Sequence, residues 1–358
     1  LIVMCLFIFI PYRKLSPMIA FIDVGQGDAT LIKCDGHSML IDAGNNDKGT
    51  LVQNYLQHQG VETLDYVIGT HPDADHIGGM DVVLYKFDCK TIIMPDVANN
   101  TRTYDDVVQT MKNKGYKTTY PVVGETYTIG GAAFTIIAPN KEYGNDMNSW
   151  SVGVLLQNGN HRFLFTGDAE EGAEQDILQN GIDISADVYK VAHHGSNTAT
   201  SQAFLDAVHP TYAVISAGEG NSYGHPHAEV LNRLRAAGVS VFRTDEQGTI
   251  VAASDGTTLT WNMSPSESWQ AGEAKKSQNT EKSEKAADSQ NNAETDAAVS
   301  NPTDQTDGNS DVIVHITKTG EKYHSAGCQY LRKSDIEVTL SEAKARGLTP
   351  CSKCNPPQ

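Results

Sequence analysis

The stretch Thr70-His71-Pro72-Asp73-Ala74-Asp75-His76-Ile77-Gly78-Gly79 constrains this chain more than any other. Four groups able to bind a metal, His71, Asp73, Asp75 and His76, fall within six residues. They follow an apolar, strand-like run at 64–69 and precede Met80 to Phe87, where the apolar spacing is helical. Side chains at the carboxyl end of a strand that feeds a helix start can converge on one point. Neutral imidazole and carboxylate together suit a divalent first-row ion, and a pair of such ions about 3.5–4 Å apart needs roughly this many ligands. The bland alternative is a solvated turn with Asp75 capping the helix. Such a turn has no need of two His and two Asp in so short a run.

Later segments add candidates of the same chemistry. Phe163-Leu164-Phe165-Thr166-Gly167-Asp168 places a carboxylate at the end of an apolar strand. Burying that group without a cation is costly, so Asp168 is expected to lie between two ions. Lys190-Val191-Ala192-His193-His194-Gly195-Ser196 and Tyr223-Gly224-His225-Pro226-His227 supply further imidazoles. His193 and His194 can equally be packing residues around a site, and Lys190 can pair with a carboxylate as readily as with substrate. His227, at a helix start, reads as a cap or a solvated residue. Asp23, Gln26, Asp28 and Asp42 sit in turns near strand ends and read as loop braces, while Gly25 and Gly27 permit tight backbone geometry. His37, His58, His161 and His209 read as surface residues.

In chain order, short β-like runs at 18–24, 28–34 and 38–43 lead to a helix at 48–59. Strands and helices then alternate at 64–70, 77–87, 90–95 and 104–114. A second, β-rich half places strands at 127–129, 132–138, 151–158 and 162–166. A helix at 170–179, strand at 188–192, helix at 201–208, strand at 212–216 and helix at 228–237 come next. Strands at 239–244, 249–253 and 258–262 close it. Two mixed halves of this kind fit sheets packed face to face with helices outside, although alternation alone does not separate this from a Rossmann-like fold.

The pattern His-x-Asp-x-Asp-His, with the opening Phe21-Ile22-Asp23-Val24-Gly25-Gln26-Gly27-Asp28-Ala29, resembles the metallo-β-lactamase fold. More narrowly it is similar to the hydrolase domain of the DNA-internalisation competence protein ComEC, over about residues 18 to 263. The resemblance implies a four-layer αββα sandwich with two divalent ions, Zn²⁺ or Mn²⁺. It also assigns ligands: His71 and Asp73 on one ion, Asp75, His76 and His225 on the other, and Asp168 between them. His225 is chosen over His227 by motif position. By the same resemblance His194 is the expected general acid, and Asp75 orients the metal-activated water. Lys190, His193, Ser196 and Asn148 are the expected substrate contacts. The chain departs from the usual pattern in that Asp73 replaces a His and the region Asn145 to Ser149 lacks one. The first ion site is thus expected to be oxygen-rich, which favours Mn²⁺ or Mg²⁺ over Zn²⁺.

The implied activity is metal-dependent hydrolysis of a phosphodiester, in single-stranded DNA or a nucleotide ester. Hydrolysis of a carboxylic ester, lactone or β-lactam on the same ions is the enzymatic alternative, and a degenerate surface binding protein is the non-enzymatic one. With 44 acidic and 27 basic residues the net charge is −17, which argues against broad phosphate-tracking binding of nucleic acid. Bound cations can still make one pocket locally positive.

Outside the hydrolase region, residues 1–10 are continuously apolar. Too short to span a bilayer alone, they read within a segment 1–17 as the remnant of an anchor or signal. The expected setting is therefore extracellular or membrane-anchored at the cell surface. Residues 264–310, rich in Ser, Asn, Gln, Asp, Glu, Lys and Ala, read as a disordered linker. At 311–358 a small domain carries His324-x3-Cys328 and Cys351-x2-Cys354, a sufficient set for one structural Zn²⁺. This module is similar to the metal-binding module of the Ada DNA-repair protein. Its seven basic and five acidic residues allow contact with DNA or a cell-surface polymer.

Overall fold

The structure, a computed structural model, describes residues 17–273 and, in the tail, 313–317, 322–325, 328, 331, 336–345, 348–351, 353, 354 and 356. The expected anchor segment and most of the expected linker lie outside the described residues. Among the described residues no helix is long and apolar enough to cross a membrane.

Alternation along the first strand already dictates layers. In Met18–Phe21 and the residue after it, Ile19 and Phe21 point one way, Ala20 and Ile22 the other, and all four are buried. A strand buried on both faces must lie inside a stack. Ile19 and Phe21 join an inner core with Ile32, Met39, Ile41, Phe134, Phe163 and Phe165, where Phe21 stacks on Phe165 at 6.1 Å. Each such Phe contributes on the order of 1.5–3 kcal/mol by leaving water. Ala20 and Ile22 pack instead beneath helices Gly49–His58, Met80–Lys86 and Arg102–Lys114. A third cluster lies beneath helices Glu171–Gln179, Gln202–Val208 and Ala228–Ala236. Three cores between four layers give the αββα sandwich.

The first sheet has eight strands, in spatial order Leu259–Trp261, Ile250–Ser254, Met18–Phe21, Thr30–Cys34, His37–Ile41, Thr63–Ile68, Asp88–Ile93 and Thr118–Thr119. The second has seven: Ser240–Arg243, Tyr212–Ile215, Val188–Lys190, His161–Phe165, Gly153–Asn158, Ala132–Ala138 and Thr126–Ile129. Within each, a parallel block matters most. Ile41 is level with Ile68 in the first sheet, and Phe165 with Lys190 and Val214 in the second. Parallel strands in register end together, so the loops after them emerge at one rim.

Two expectations are corrected. The single helix expected over 77–87 is two, Ala74–Ile77 and Met80–Lys86. Gly78 and Gly79 separate them because a Cβ on Gly78 would meet Ala74 O and Asn46 N, and one on Gly79 would meet Ala43 O, all under 2.5 Å. Residues 264–273, expected as the start of the linker, form a strap on the sandwich. Ser266 N donates to Val241 O, Gly272 N to Pro226 O, Arg243 Nη1 to Gln270 O, and Trp269 packs on the outer core of the second sheet. Composition missed it because one Trp and backbone hydrogen bonds anchor an otherwise polar run.

The tail forms a separate unit. Its four-stranded sheet runs Ile336–Thr339, Ile313–Ile316, Lys322–His324, Thr349–Pro350, with Val314, Ile316, Tyr323, Val338, Leu340 and Ala343 as its small core.

Candidate metal centre

Each histidine at the rim is oriented by a hydrogen bond on one ring nitrogen. Asp42, just after strand His37–Ile41, accepts from Thr70 N at 2.8 Å and Thr70 Oγ1 at 2.7 Å, and holds His76 Nδ1 at 2.8 Å. His71 Nδ1 faces the hydroxyls of Thr70 (3.2 Å) and Ser151 (3.3 Å). Ser151 Oγ in turn accepts from Asp168 N at 3.0 Å. His194 Nδ1 donates to Ser216 O at 3.0 Å. In all three the Nδ1 side is engaged, which leaves Nε2 with its lone pair toward the rim whenever the ring is neutral.

These Nε2 atoms converge on carboxylates. His76 Nε2 lies 3.2 Å from Asp168 Oδ2, and His194 Nε2 lies 3.4 Å from the same oxygen and 3.3 Å from Asp75 Oδ2. His71 lies beside His76 with ring centroids 4.1 Å apart and planes tilted by 50°, its Nε2 3.8 Å from Asp73 Oδ2. Yet His71 Nε2, His76 Nε2, His194 Nε2 and Asp168 Oδ1 are buried without a hydrogen-bond partner. Orphaned polar atoms this close together are expensive, and divalent cations bound among them would satisfy them; His76, Asp168 and His194 offer ligand atoms within 4.8 Å of one another, while His71 Nε2 faces Asp73. The residues therefore fit a metal ion.

Asp28 also falls within 4.8 Å of His76, Asp168 and His194. It sits behind His194, however, with Oδ1 3.4 Å from Nδ1 and Oδ2 2.7 Å from Lys190 Nζ. A cation on the Nε2 side is reached by Asp75, whereas Asp28 fixes the ring. Lys190, expected as a possible substrate contact, is buried in this ion pair and does not reach the open face. Ser196 is likewise buried, its Oγ on Thr198 Oγ1 at 3.1 Å. Asp73 is the N-cap residue of Ala74–Ile77 but makes no capping bond; its Oδ1 accepts from Asn99 Nδ2. The reading of this segment as a solvated turn capped by Asp75 fails because Asp75 lies inside the helix and His71 and His76 are fully buried.

The open face is a trough of about 170 Å³ lined by Gln26, Asp73, Asp75, Asn148, Asp168, His193, His194, Tyr223 and His225. His225, expected as a ligand, stands on its wall 6.1 Å ring to ring from His194, with Nδ1 3.5 Å from Gln26 Nε2. His193 lies 3.8 Å from Asp168 by its Nε2, and its Nδ1 faces Thr198 Oγ1 at 3.1 Å and Glu170 Oε1 at 3.4 Å. His227 bonds through both nitrogens, to Asn197 N and Tyr223 O. His161, expected at the surface, is partly buried against Ser254 Oγ at 2.7 Å.

Backbone strain aims the His pair. His193 (φ 50°), His194 (φ 53°) and Gly195 (φ 83°) are consecutive left-handed residues. For the two histidines this costs roughly 1–2 kcal/mol each. Gly195 has no substitute, since its Cβ would lie 2.6 Å from Pro226 Cβ.

Charge follows geometry. Burial opposes the charged imidazolium, but Asp168 and Asp42 raise His76 well above its ordinary value, and Asp168 and Asp28 do the same for His194. Burial and the neighbouring His76 instead push His71 down to about 3. Burial also works against Asp75, yet the bond to His194 and the charge of His76 hold it at about 2. His225 is pushed down to about 4 by burial and by His194.

In the tail, His324, Cys328, Cys351 and Cys354 each offer a ligand atom within 4.8 Å of the others. Cys351 Sγ accepts from Lys353 N, which lowers its pKa, and Cys354 Sγ accepts from Ser325 N.

Residues 22–219 match the metallo-beta-lactamase superfamily, and the chain belongs to it. It is thus a metallo-hydrolase of a superfamily that binds divalent metals. Among relatives, "ComE operon protein 3" of Bacillus subtilis is 30% identical over 270 residues, covering 69% of this chain and 34% of that protein. "Recombination protein 2" of Haemophilus influenzae is 32% identical over 257 residues, covering 70% and 31%. "Competence protein ComA" of Neisseria gonorrhoeae is 29% identical over 230 residues, covering 64% and 31%. The chain spans about a third of the length of these relatives.

Proposed function

We propose that the trough hydrolyses phosphodiesters with a divalent cation held by His71, His76, His194, Asp75 and Asp168. One observation carries this reading: His194 and Asp168 line a solvent-open trough with Asp75, His76 lies against Asp168 just behind, and Nε2 of both histidines and Oδ1 of Asp168 are buried and unsatisfied. The cation would supply charge to withdraw from a phosphoryl oxygen and acidity to the attacking water. Asp75, partly exposed beside His194, orients that water. His194 is buried between carboxylates and acts as a ligand in this reading, so the proton for the leaving oxygen comes from His193. That ring lines the trough and is braced by Thr198 and Glu170 on its other nitrogen. Asn148 lies on the same trough and is held by Glu170 Oε1 at 3.2 Å, where it can donate to substrate. The names of the relatives, competence and recombination, support a nucleic-acid diester.

The test is hydrolysis of bis-p-nitrophenyl phosphate against nitrocefin after chelation and return of Mn²⁺ or Zn²⁺. Turnover of the diester, lost in Asp75→Ala, is expected. Turnover of nitrocefin alone would replace this reading with amide or ester hydrolysis.

A further inference from the structure

Tyr223 is a large aromatic side chain left 63% exposed on the wall of the trough. Its ring stacks on His225 with centroids 5.5 Å apart and planes 19° apart. Its backbone is not free. Asn221, 9% exposed, donates through Nδ2 to Gly218 O and His225 O and accepts through Oδ1 from Tyr223 N and His225 N. An amide that uses both donors and both lone pairs fixes the main chain of the loop, and the stack on His225 places the exposed ring.

The rest of the lining says what the platform would take. None of the nine lining residues is Lys or Arg, and the buried Lys190 beneath them is spent on Asp28. A polyanionic substrate therefore gains little here from ion pairs to its phosphates beyond the cation itself. Grip on a single strand must then come from base stacking, which a fixed aromatic supplies without regard to sequence.

Resting on the phosphodiester reading above, we infer that Tyr223 stacks a base of the nucleotide next to the scissile linkage. It is a substrate-positioning residue that grips a base free to stack. Stacking of this kind is worth roughly tenfold in kcat/KM per base.

The test uses the full chain with Mn²⁺ and short single-stranded oligonucleotides in which one abasic nucleotide is moved along the strand. In the wild type, one abasic position is expected to lower kcat/KM about tenfold, mainly through KM. Tyr223→Ala should show that loss on the intact strand and no further loss at the sensitive position, while Tyr223→Trp keeps the wild-type profile. An oligomer abasic throughout should be cleaved equally by wild type and Tyr223→Ala. A loss in Tyr223→Ala that is the same on intact and fully abasic strands would overturn the inference, because the ring would then be structural; so would no loss on either. If the wild type cleaves the abasic oligomer but no position is sensitive, stacking alone falls. If it cleaves no diester at all, the phosphodiesterase reading falls with it.

Discussion

The trough at the rim of the sandwich takes its side chains from loops that protein hydrogen bonds already fix, through Asp42 on His76, Ser151 on His71 and Ser216 on His194. In the tail, His324, Cys328, Cys351 and Cys354 mostly face one another, beside a core of five small or medium residues and Tyr323. A cation in the first place is a tenant of a finished building. In the second it is part of the frame. Site shape in the hydrolase unit should thus survive metal loss, and fold in the tail should not.

The largest effect that can break this comparison comes from a strong chelator acting on the whole chain. Structural zinc sites contribute on the order of 10–16 kcal/mol, more than so small a core can replace. Hydrogen exchange should show the tail strands losing protection completely while strands Met18–Phe21 and His161–Phe165 keep theirs. Protected tail strands after chelation would erase the distinction.

Next comes the bracing itself. Asp42→Asn removes the charge on His76 Nδ1 without touching the trough. Metal affinity, measured by competition with a chelating dye, should fall about 10–100-fold. Unchanged affinity would mean that the cation orients its own ligands, as in the tail. A smaller effect is expected from Gly195→Ala, which forces a Cβ toward Pro226 at a left-handed position. Thermal unfolding should show a loss of ~1–3 kcal/mol with or without cation, because the strain belongs to the protein.

The smallest effect is a dependence on pH. In the cation-free protein His76 and His194 have raised pKa values, so the stability they contribute is full below about pH 6.5 and is lost as pH rises through their folded values. A cation must displace those protons. The rise in Tm on adding Mn²⁺ should therefore be greater at about pH 8.5 than at about pH 6. A gain that shrinks with rising pH would place the cation elsewhere.

Much of this was legible along the chain. The signature at 71–76 and the Asp at a strand end announced themselves by spacing and by the cost of burying charge, whereas the four-layer order came from the family resemblance, since alternation alone left a Rossmann-like fold open. What spacing could not show is partnership across the sandwich. Asp28 and Lys190 are 162 residues apart; the sequence made one a loop brace and left the other between a carboxylate and substrate, and only the stacked sheets pair them. The same holds for His194, whose place between Asp75 and Asp168 restores the nitrogen that Asp73 seemed to remove. In the proposed reading that third imidazole makes the centre richer in nitrogen than the signature alone suggests. Consecutive left-handed residues at 193 and 194 had no local signal either, since only the following Gly hints at the turn.

Asn221 reads only main-chain atoms of Tyr223 and His225, never their rings. Position 223 is consequently a socket: the fitting can be exchanged while the main chain that mounts it stays where it is. On the inference above, single changes there would retune the grip on substrate with the loop's backbone left undisturbed.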